Sequence, residues 1–292
     1  MSRRLSDPPV TATGAAGMVL LGAFAIQWSA ALAVPAFADV GALGVSGWRF
    51  LMGAVILLVL VRPSWRDFTA HQWRAAAGLG VAVAVMNVTF FQAIARIPLG
   101  TAVAIEFMGP FVVAAVGRTS WRHVVCILIA AGGVVALCRP GGHLDPVGLV
   151  FAGLAAVCYG AYTVAAHHAG NTTPGFEGLA VGLTISSVLT LPFVVHSLPD
   201  VAHHPSLLAR FFFMGLLATV FGFGAEMQAL RRLPPSVVSV LLAFDPAVAF
   251  LSGFIFLSQH VTVLDLVGLL LVVAGGIGVT LDAEGTTADI PR

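Results

Sequence analysis

Charge is what this sequence has least of. Only 9% of its 292 residues are Asp, Glu, Lys or Arg, whereas a soluble domain carries roughly 25%. Lysine is absent, so all 14 basic residues are arginines, and the net charge is only +1. A chain that is 59% hydrophobic, with a mean hydropathy of +0.99, cannot cover a globule of this size with polar groups. The composition therefore predicts an integral membrane protein and excludes a basic surface for nucleic acid.

Two further absences narrow the chemistry. Cys126, Cys138 and Cys158 lie in apolar runs without a CxxC spacing, which argues against a disulfide framework and a zinc site. The sequence contains no Walker, GxSxG or HExxH motif, so ATP-driven transport and the common intramembrane hydrolases have no support. We therefore expect that the protein is not an enzyme and binds no metal or cofactor.

Long apolar segments follow one another with short connections between them. A spanning helix needs roughly 20 mostly apolar residues, and the first segment is longer than the roughly 7–15-residue core of a secretory signal. The pattern predicts an all-α integral membrane protein. Its ten transmembrane helices are expected at 14–36, 40–61, 74–94, 98–117, 121–138, 146–167, 178–197, 207–230, 235–257 and 262–281.

The arginines predict the orientation of these helices. With the N-terminus inside, only Arg96, Arg139 and Arg210 face out, and Arg49 lies within a helix. This positive-inside bias places both termini in the cytoplasm of a bacterium, with the chain in its inner membrane. The cytoplasmic set is Arg3, Arg4, Arg62, Arg66, Arg74, Arg118, Arg122, Arg231, Arg232 and Arg292.

A short motif occurs twice in the chain. Ala93–Pro98 (AIARIP) aligns with Ala229–Pro234 (ALRRLP), and at the same offset of 136 residues Gly109-Pro110 aligns with Asp245-Pro246. Five helices per half is an odd number, so the second half would enter the membrane inverted, as in many secondary transporters. This predicts two five-helix inverted repeats, at 14–138 and 139–281. They are flanked by an N-terminal tail at 1–13 and a C-terminal tail at 282–292.

Four ionisable residues lie within the predicted helices. A charge at the bilayer centre costs at least about 2.5–3.5 kcal/mol, so Arg49, Glu106, Glu226 and Asp245 are candidates for substrate binding. The three carboxylates are also candidates for proton coupling. Pro110 and Pro246 predict kinks, because proline removes a helical hydrogen bond.

Simpler interpretations of these charges stay open. Arg49 and Glu106 could form an ion pair that only fixes helix packing. Glu226 is close to Arg231 and Arg232 in the sequence and could be a helix-end residue. Asp245 has no basic neighbour in the sequence, which favours a functional role.

Weaker signals come from polar and aromatic residues in the helices. Such groups line small-molecule pockets, but they also join helices to one another. We select Trp28, Asn87, Phe91, Gln92 and Tyr159 as further substrate-binding candidates, with Gln27 and Tyr162 as weaker ones. The pairs His167-His168 and His203-His204 are interpreted as loop residues without a metal-binding role.

Residues 87–110, NVTFFQAIARIPLGTAVAIEFMGP, resemble the region of helices three and four of EamA-type drug/metabolite transporters, and within them the bacterial threonine/homoserine exporter branch. Ala225–Met227, Phe244–Pro246 and Trp48–Phe50 fit the same pattern. Two departures stand out. Asp245 takes the place of a glutamate, and Ser258-Gln259 takes the place of a Gly-Glu pair.

The resemblance implies a ten-helix exporter of amino acids or similar metabolites, driven by protons. We expect alternating access around a central cavity, with a substrate ammonium near the carboxylates and its carboxylate near Arg49. Export of drugs or other metabolites is the alternative, and it would require a more aromatic cavity. A membrane enzyme or receptor is the alternative of another class. Oligomeric state stays undetermined.

Overall fold

The computed structural model describes residues 12–115, 121–138, 144–173, 176–225 and 240–288, and their regular structure is entirely helical. The twelve α-helices described are α1 Ala12–Ala33, α2 Phe37–Val61, α3 Ala70–Ile94, α4 Leu99–Glu106, α5 Met108–Ala115, α6 Trp121–Leu137, α7 Pro146–Thr172, α8 Glu177–His196, α9 Leu198–His203, α10 Ser206–Leu216, α11 Asp245–Leu257 and α12 Val263–Ala288. Two 3-10 turns (Val34–Ala36 and Trp65–Asp67) and one π-helical segment (Leu217–Phe223) complete them.

Several of these helices have the length and composition of membrane spans. Six apolar helical stretches in the described ranges qualify, and shorter apolar helices lie at Leu99–Val113, Val124–Leu137 and Val263–Val279. The longest stretch, Gly17–Val61, contains 45 residues and would be about 68 Å long if straight. The chain instead bends at the 3-10 turn and at Gly41, whose φ of 69° is outside the helical range. This stretch is therefore long enough for two crossings.

The surface of the helices is apolar, as lipid requires. Large side chains with high exposed fractions include Leu21, Trp121, Val157, Val263 and Leu270, each at least 68% exposed. A water-soluble monomer seldom exposes large contiguous apolar patches. The prediction of a membrane protein is therefore confirmed at the level of fold.

Two helices are interrupted at positions related by the 136-residue offset. The predicted span 98–117 divides into α4 and α5 at Phe107. The ninth span is likewise interrupted, by a turn at Ala243 and Phe244 before α11 begins at Asp245. Pro110 and Pro246 lie in the first turns of the helices that follow, so each break comes just before its proline.

Direct polar contacts and small residues join the helices. Ser29 Oγ donates to Met214 O at 2.9 Å, Ser186 Oγ donates to Gly80 O at 2.7 Å, and Trp48 Nε1 donates to Ser197 Oγ at 3.0 Å. Trp48 also stacks on Phe211 at 5.6 Å. Such contacts replace the hydrophobic driving force that helices lack inside lipid.

The helix pairs form a regular pattern. α1 packs against the π-helical segment and α11, whereas α7 packs against α3, α4 and α5. The remaining large contacts join α2 with α8 and with α10, α3 with α8, α6 with α12, and α4 with α11.

The structure corrects several predicted boundaries. α7 continues to Thr172, beyond its predicted end at 167, so the predicted loop from Asn171 begins later and His168 lies in a helix rather than beside one. α12 continues to Ala288 rather than ending at 281. The short helix α9 contains His203, whose Nδ1 lies 2.7 Å from Pro199 O. Polar residues at helix ends mislead a hydropathy reading, because a helix can continue beyond the apolar region.

A matched pair of glycines tests the packing of α6 on α12. A Cβ at Gly133 would lie 2.5 Å from Gly268 O, whereas a Cβ at Gly132 would meet no atom within 4 Å. Gly133→Ala should lower the free energy of unfolding by about 1–3 kcal/mol, because the helices must separate. Gly132→Ala should be neutral or stabilise by up to about 1 kcal/mol, because alanine favours helix. Thermal unfolding of the purified variants in detergent measures both effects, and equal stabilities would contradict this packing.

Candidate functional site

A cavity lies where the interrupted helices meet the other helices. Six helices (α1, α2, α3, α4, α7 and α11) and the π-helical segment contribute its walls. Its polar lining residues are Gln27, Arg49, Asn87, Glu106, Tyr159, Tyr162 and Asp245, and its apolar ones are Ile26, Ala30, Met86, Phe90, Phe107 and Phe223. Five of these 13 side chains are aromatic, although the 20 phenylalanines show no clustering in the sequence.

Arg49 is the cation of this cavity. It lies in the middle of α2 and is only 7% exposed. Its Nη1 donates to Asn87 Oδ1 at 3.1 Å, and its guanidinium carbon lies 5.2 Å from the centre of the Phe91 ring. Among the described residues no ion pair within 4.0 Å joins it to Glu106. The structure therefore does not contain the tight Arg49–Glu106 pair of the packing interpretation.

Two carboxylates face the same cavity from the interrupted helices. Glu106 is the last residue of α4 and Asp245 is the first residue of α11. They are 7% and 5% exposed, and the charges of both Arg49 and Asp245 act on Glu106. With all three groups ionised, the cavity carries one positive and two negative charges. It is therefore suited to a ligand with a cationic group and an anionic group.

An aromatic wall continues from the acidic residues. The Phe107 ring meets the Tyr159 ring edge-on at 5.3 Å, and Tyr159 is 5.7 Å from Tyr162. Phe107 is the residue at the break between α4 and α5, so the interruption brings this ring towards α7. Edge-to-face pairs of this kind favour fixed ring positions.

The sequence candidates separate into three groups. Arg49, Glu106, Asp245, Asn87 and Tyr159 line the cavity. Phe91, Gln92 and Trp28 do not line it, and Glu226 lies outside the described residues. Each of the three that do not line it has another contact.

Phe91 is fully buried behind Arg49. The Gln92 carbonyl and side-chain oxygens accept hydrogen bonds from Arg96 at 2.6 Å. Trp28 is 41% exposed and packs edge-on against Phe24 and Phe256, at 6.2 and 5.3 Å. These side chains therefore serve helix contacts or the outer surface.

Sequence reasoning missed several lining residues or gave them little weight. Ile26, Gln27 and Ala30 lie on one face of α1, and Met86, Asn87 and Phe90 lie on one face of α3. Their spacing of one, three and four residues is the helical signal that could have found them. It is hidden in this chain because lipid-facing positions are equally apolar.

The helices pack tightly at the connection between α3 and α4. There, α3 and α4 contribute Ile94, Leu99 and Val103 to the largest hydrophobic core, all at most 5% exposed. Gln259 also contacts this end of α4, because its Oε1 accepts a hydrogen bond from Leu99 N at 3.3 Å. The chain turns back after α11 at Ser258, whose φ is 52°, and this turn brings Gln259 into position. The residue in place of a glutamate thus caps a helix across the interface between α11 and α4.

Known proteins resemble the chain over most of its length. The model of the EamA-like transporter family matches residues 146–281. The threonine/homoserine exporter RhtA of Escherichia coli strain K12 is 33% identical over 269 residues, covering 90% of both chains. A protein of Streptantibioticus cattleyicolor named "Probable terminal-alkyne amino-acid exporter" is 26% identical over 249 residues, covering 80% of this chain and 82% of its own.

A solved structure shows the same fold. A protein crystal structure with 19% sequence identity superposes with a TM-score of 0.62, covering 92% of this chain and 98% of its own. The apolar helices around a charged cavity agree with a transporter, and the family model and RhtA both match the sequence. Because RhtA is 33% identical over 90% of both chains, the chain belongs to the EamA-like transporter family.

Proposed function

We propose that this protein exports small amino acids or closely related metabolites, in exchange for protons, by alternating access. The observation that carries the proposal is the cavity, which combines Arg49 with Glu106 and Asp245 in an otherwise apolar chain. A zwitterionic amino acid would place its carboxylate at Arg49 and its ammonium at the two acidic residues. The relatives named for threonine, homoserine and an alkyne amino acid support this class of cargo.

Two inverted five-helix repeats are part of the proposal. The largest helix contacts map onto one another, or onto themselves, when α1 is exchanged with α7, α2 with α8, α3 with α10 and the π-helical segment, α4 and α5 with α11, and α6 with α12. The breaks at Phe107 and Ala243 are related by the same exchange. With α4 and α5 counted as one interrupted helix, and α9 as a surface turn, the described helices support ten spans. An even number would put both termini on the same side of the membrane, and the positive-inside bias favours the cytoplasmic side.

Proton coupling would follow from competition for the carboxylates. A proton bound at Glu106 or Asp245 and a substrate ammonium neutralise the same negative charge, so each favours release of the other. Glu226 stays a candidate for this role. Alternating access would expose the cavity to one side of the membrane at a time.

The aromatic wall favours a second candidate, export of apolar or cationic drugs. Phe90, Phe107, Tyr159, Tyr162 and Phe223 together could hold an aromatic cation by stacking and cation–π contact. Such a substrate would need the carboxylates but not Arg49. Loss of Arg49 therefore separates the two candidates, because it should abolish amino-acid transport and spare a cationic drug.

Transport in liposomes tests cargo and coupling together. Protein reconstituted into vesicles should carry radiolabelled L-threonine faster when protons can flow in the opposite direction, because proton binding drives the return step. Amino-acid flux that ignores the pH gradient would count against coupling, and absence of flux for every amino acid would count against the cargo.

Neutral isosteres test the carboxylates. Glu106→Gln and Asp245→Asn should each lower threonine flux about tenfold or more, because each removes a charge that the substrate ammonium needs. If one of them carries the proton, the residual threonine flux of that variant should no longer be accelerated by the pH gradient. Glu177→Gln, at the start of α8 and outside the cavity, is the matched control and should retain wild-type flux. Wild-type flux in both cavity variants would favour a purely structural role.

Two adjacent residues test the orientation of α1. Gln27 lines the cavity, whereas Trp28 is on the outer surface beside Phe256. Gln27→Leu should raise the threonine concentration for half-maximal flux several-fold, because a polar contact in the site is worth about 1 kcal/mol. Trp28→Leu should leave that concentration unchanged. The opposite ranking would mean that α1 is rotated relative to the cavity.

A further inference from the structure

The environment of Arg49 suggests how a single cation is kept available inside the membrane. An arginine presents five N–H donors in a rigid planar fork. One of these donors is taken by Asn87 at 3.1 Å, and one face of the guanidinium is over Phe91. Both partners are uncharged, so they fix the position of the guanidinium without neutralising it.

Asn87 is itself held in place. Its Nδ2 donates to Val83 O at 3.2 Å, one turn earlier on α3. This bond occupies the donor end of the amide and turns Oδ1 towards Arg49. Without this bond, the Asn87 side-chain amide could turn its NH2 group towards the guanidinium. Two donors would then face each other, and the cation would be repelled.

Phe91 is fixed even more firmly. It is fully buried, and its ring meets the rings of Phe37 and Phe90 edge-on, each at 5.9 Å. It lies four positions after Asn87, so both project from the same face of α3. One helix face therefore supplies a hydrogen-bond acceptor and an aromatic surface for the same cation.

We infer that Asn87 and Phe91 are positioning residues that hold the Arg49 guanidinium in place and leave its remaining donors for the carboxylate of the transported solute. This inference deepens the proposed function and rests on it. Asn87 and Phe91 thus act through Arg49, and the buried position of Phe91 means that it does not touch the solute. A charged partner in place of Asn87 would bind Arg49 more tightly but would compete with the solute carboxylate.

A pair of ligands distinguishes loss of the Arg49 position from a general distortion of the cavity. The affinities of purified protein for L-threonine and for L-threoninol, in which a hydroxymethyl group replaces the carboxylate, are measured by equilibrium dialysis. Asn87→Leu should weaken threonine binding about tenfold, the ratio expected for loss of one hydrogen bond to a charged group. Threoninol binding should change less than about twofold. Phe91→Leu should show the same selectivity.

The controls use the same helix and the same site. Thr89→Val, two residues from Asn87, removes a hydroxyl whose hydrogen bonds go to the backbone of α3 and should leave both affinities unchanged. Asn87→Asp should also weaken threonine relative to threoninol, because the new carboxylate occupies the arginine. Equal losses for the two ligands, or wild-type affinity for threonine in Asn87→Leu, would overturn the inference.

A second measurement keeps this inference separate from the identity of the cargo. Thermal unfolding of Arg49→Met, Asn87→Leu and the double variant gives the coupling between the two side chains. If Asn87 acts through Arg49, the loss in melting temperature caused by Asn87→Leu should be smaller in the Arg49→Met background. Binding of no amino acid by the wild-type protein would defeat the proposed function, and additive losses in this cycle would defeat the contact between Asn87 and Arg49.

Discussion

The burial of three charged side chains around one cavity constrains the rest of this structure. Inside lipid, neither a guanidinium nor a carboxylate can be left facing hydrocarbon without a cost of several kcal/mol. Arg49, Glu106 and Asp245 are each at most 7% exposed and line one cavity. The helices that carry the carboxylates are interrupted at that point, and irregular backbone at membrane depth is tolerated where it lines a cavity. The charges and the breaks therefore depend on each other.

Close packing of the helices compensates for the absence of a hydrophobic driving force between them in lipid. Glycines allow this approach where α6 meets α12, since a Cβ at Gly268 would lie 2.8 Å from Gly133 O. At the start of α4, Gly100 lies against the Phe250 ring of α11. Gln259 then caps α4 from the other side of the same interface. One end of the α4–α11 pair is thus tightly closed, whereas Glu106 and Asp245 stand further along, where a cavity opens.

The sequence predicts the helices better than it predicts the site. A span of about 20 apolar residues is a strong signal, so most predicted segments match helices to within a few residues. The prolines predicted interruptions near Glu106 and Asp245, but the breaks come at Phe107 and Ala243, before each proline. The sequence does not predict which face of α1 points into the protein, because the lipid-facing side of a helix and its buried side have the same apolar residues. The sequence therefore favours Trp28 as a substrate-binding residue, whereas the neighbouring Gln27 lines the cavity.

The environment of Arg49 could not be predicted for a different reason. Hydropathy marks a buried cation as expensive, and the simplest expectation is that a buried carboxylate neutralises it. The structure instead gives it an amide oxygen and an aromatic face from α3. Neutral partners offset part of the cost of burial while the charge is preserved, whereas an ion pair would offset more and leave no attraction for an anion. If the proposed function holds, a transporter needs this intermediate stabilisation of Arg49, because a solute must bind in one conformation and leave in the other.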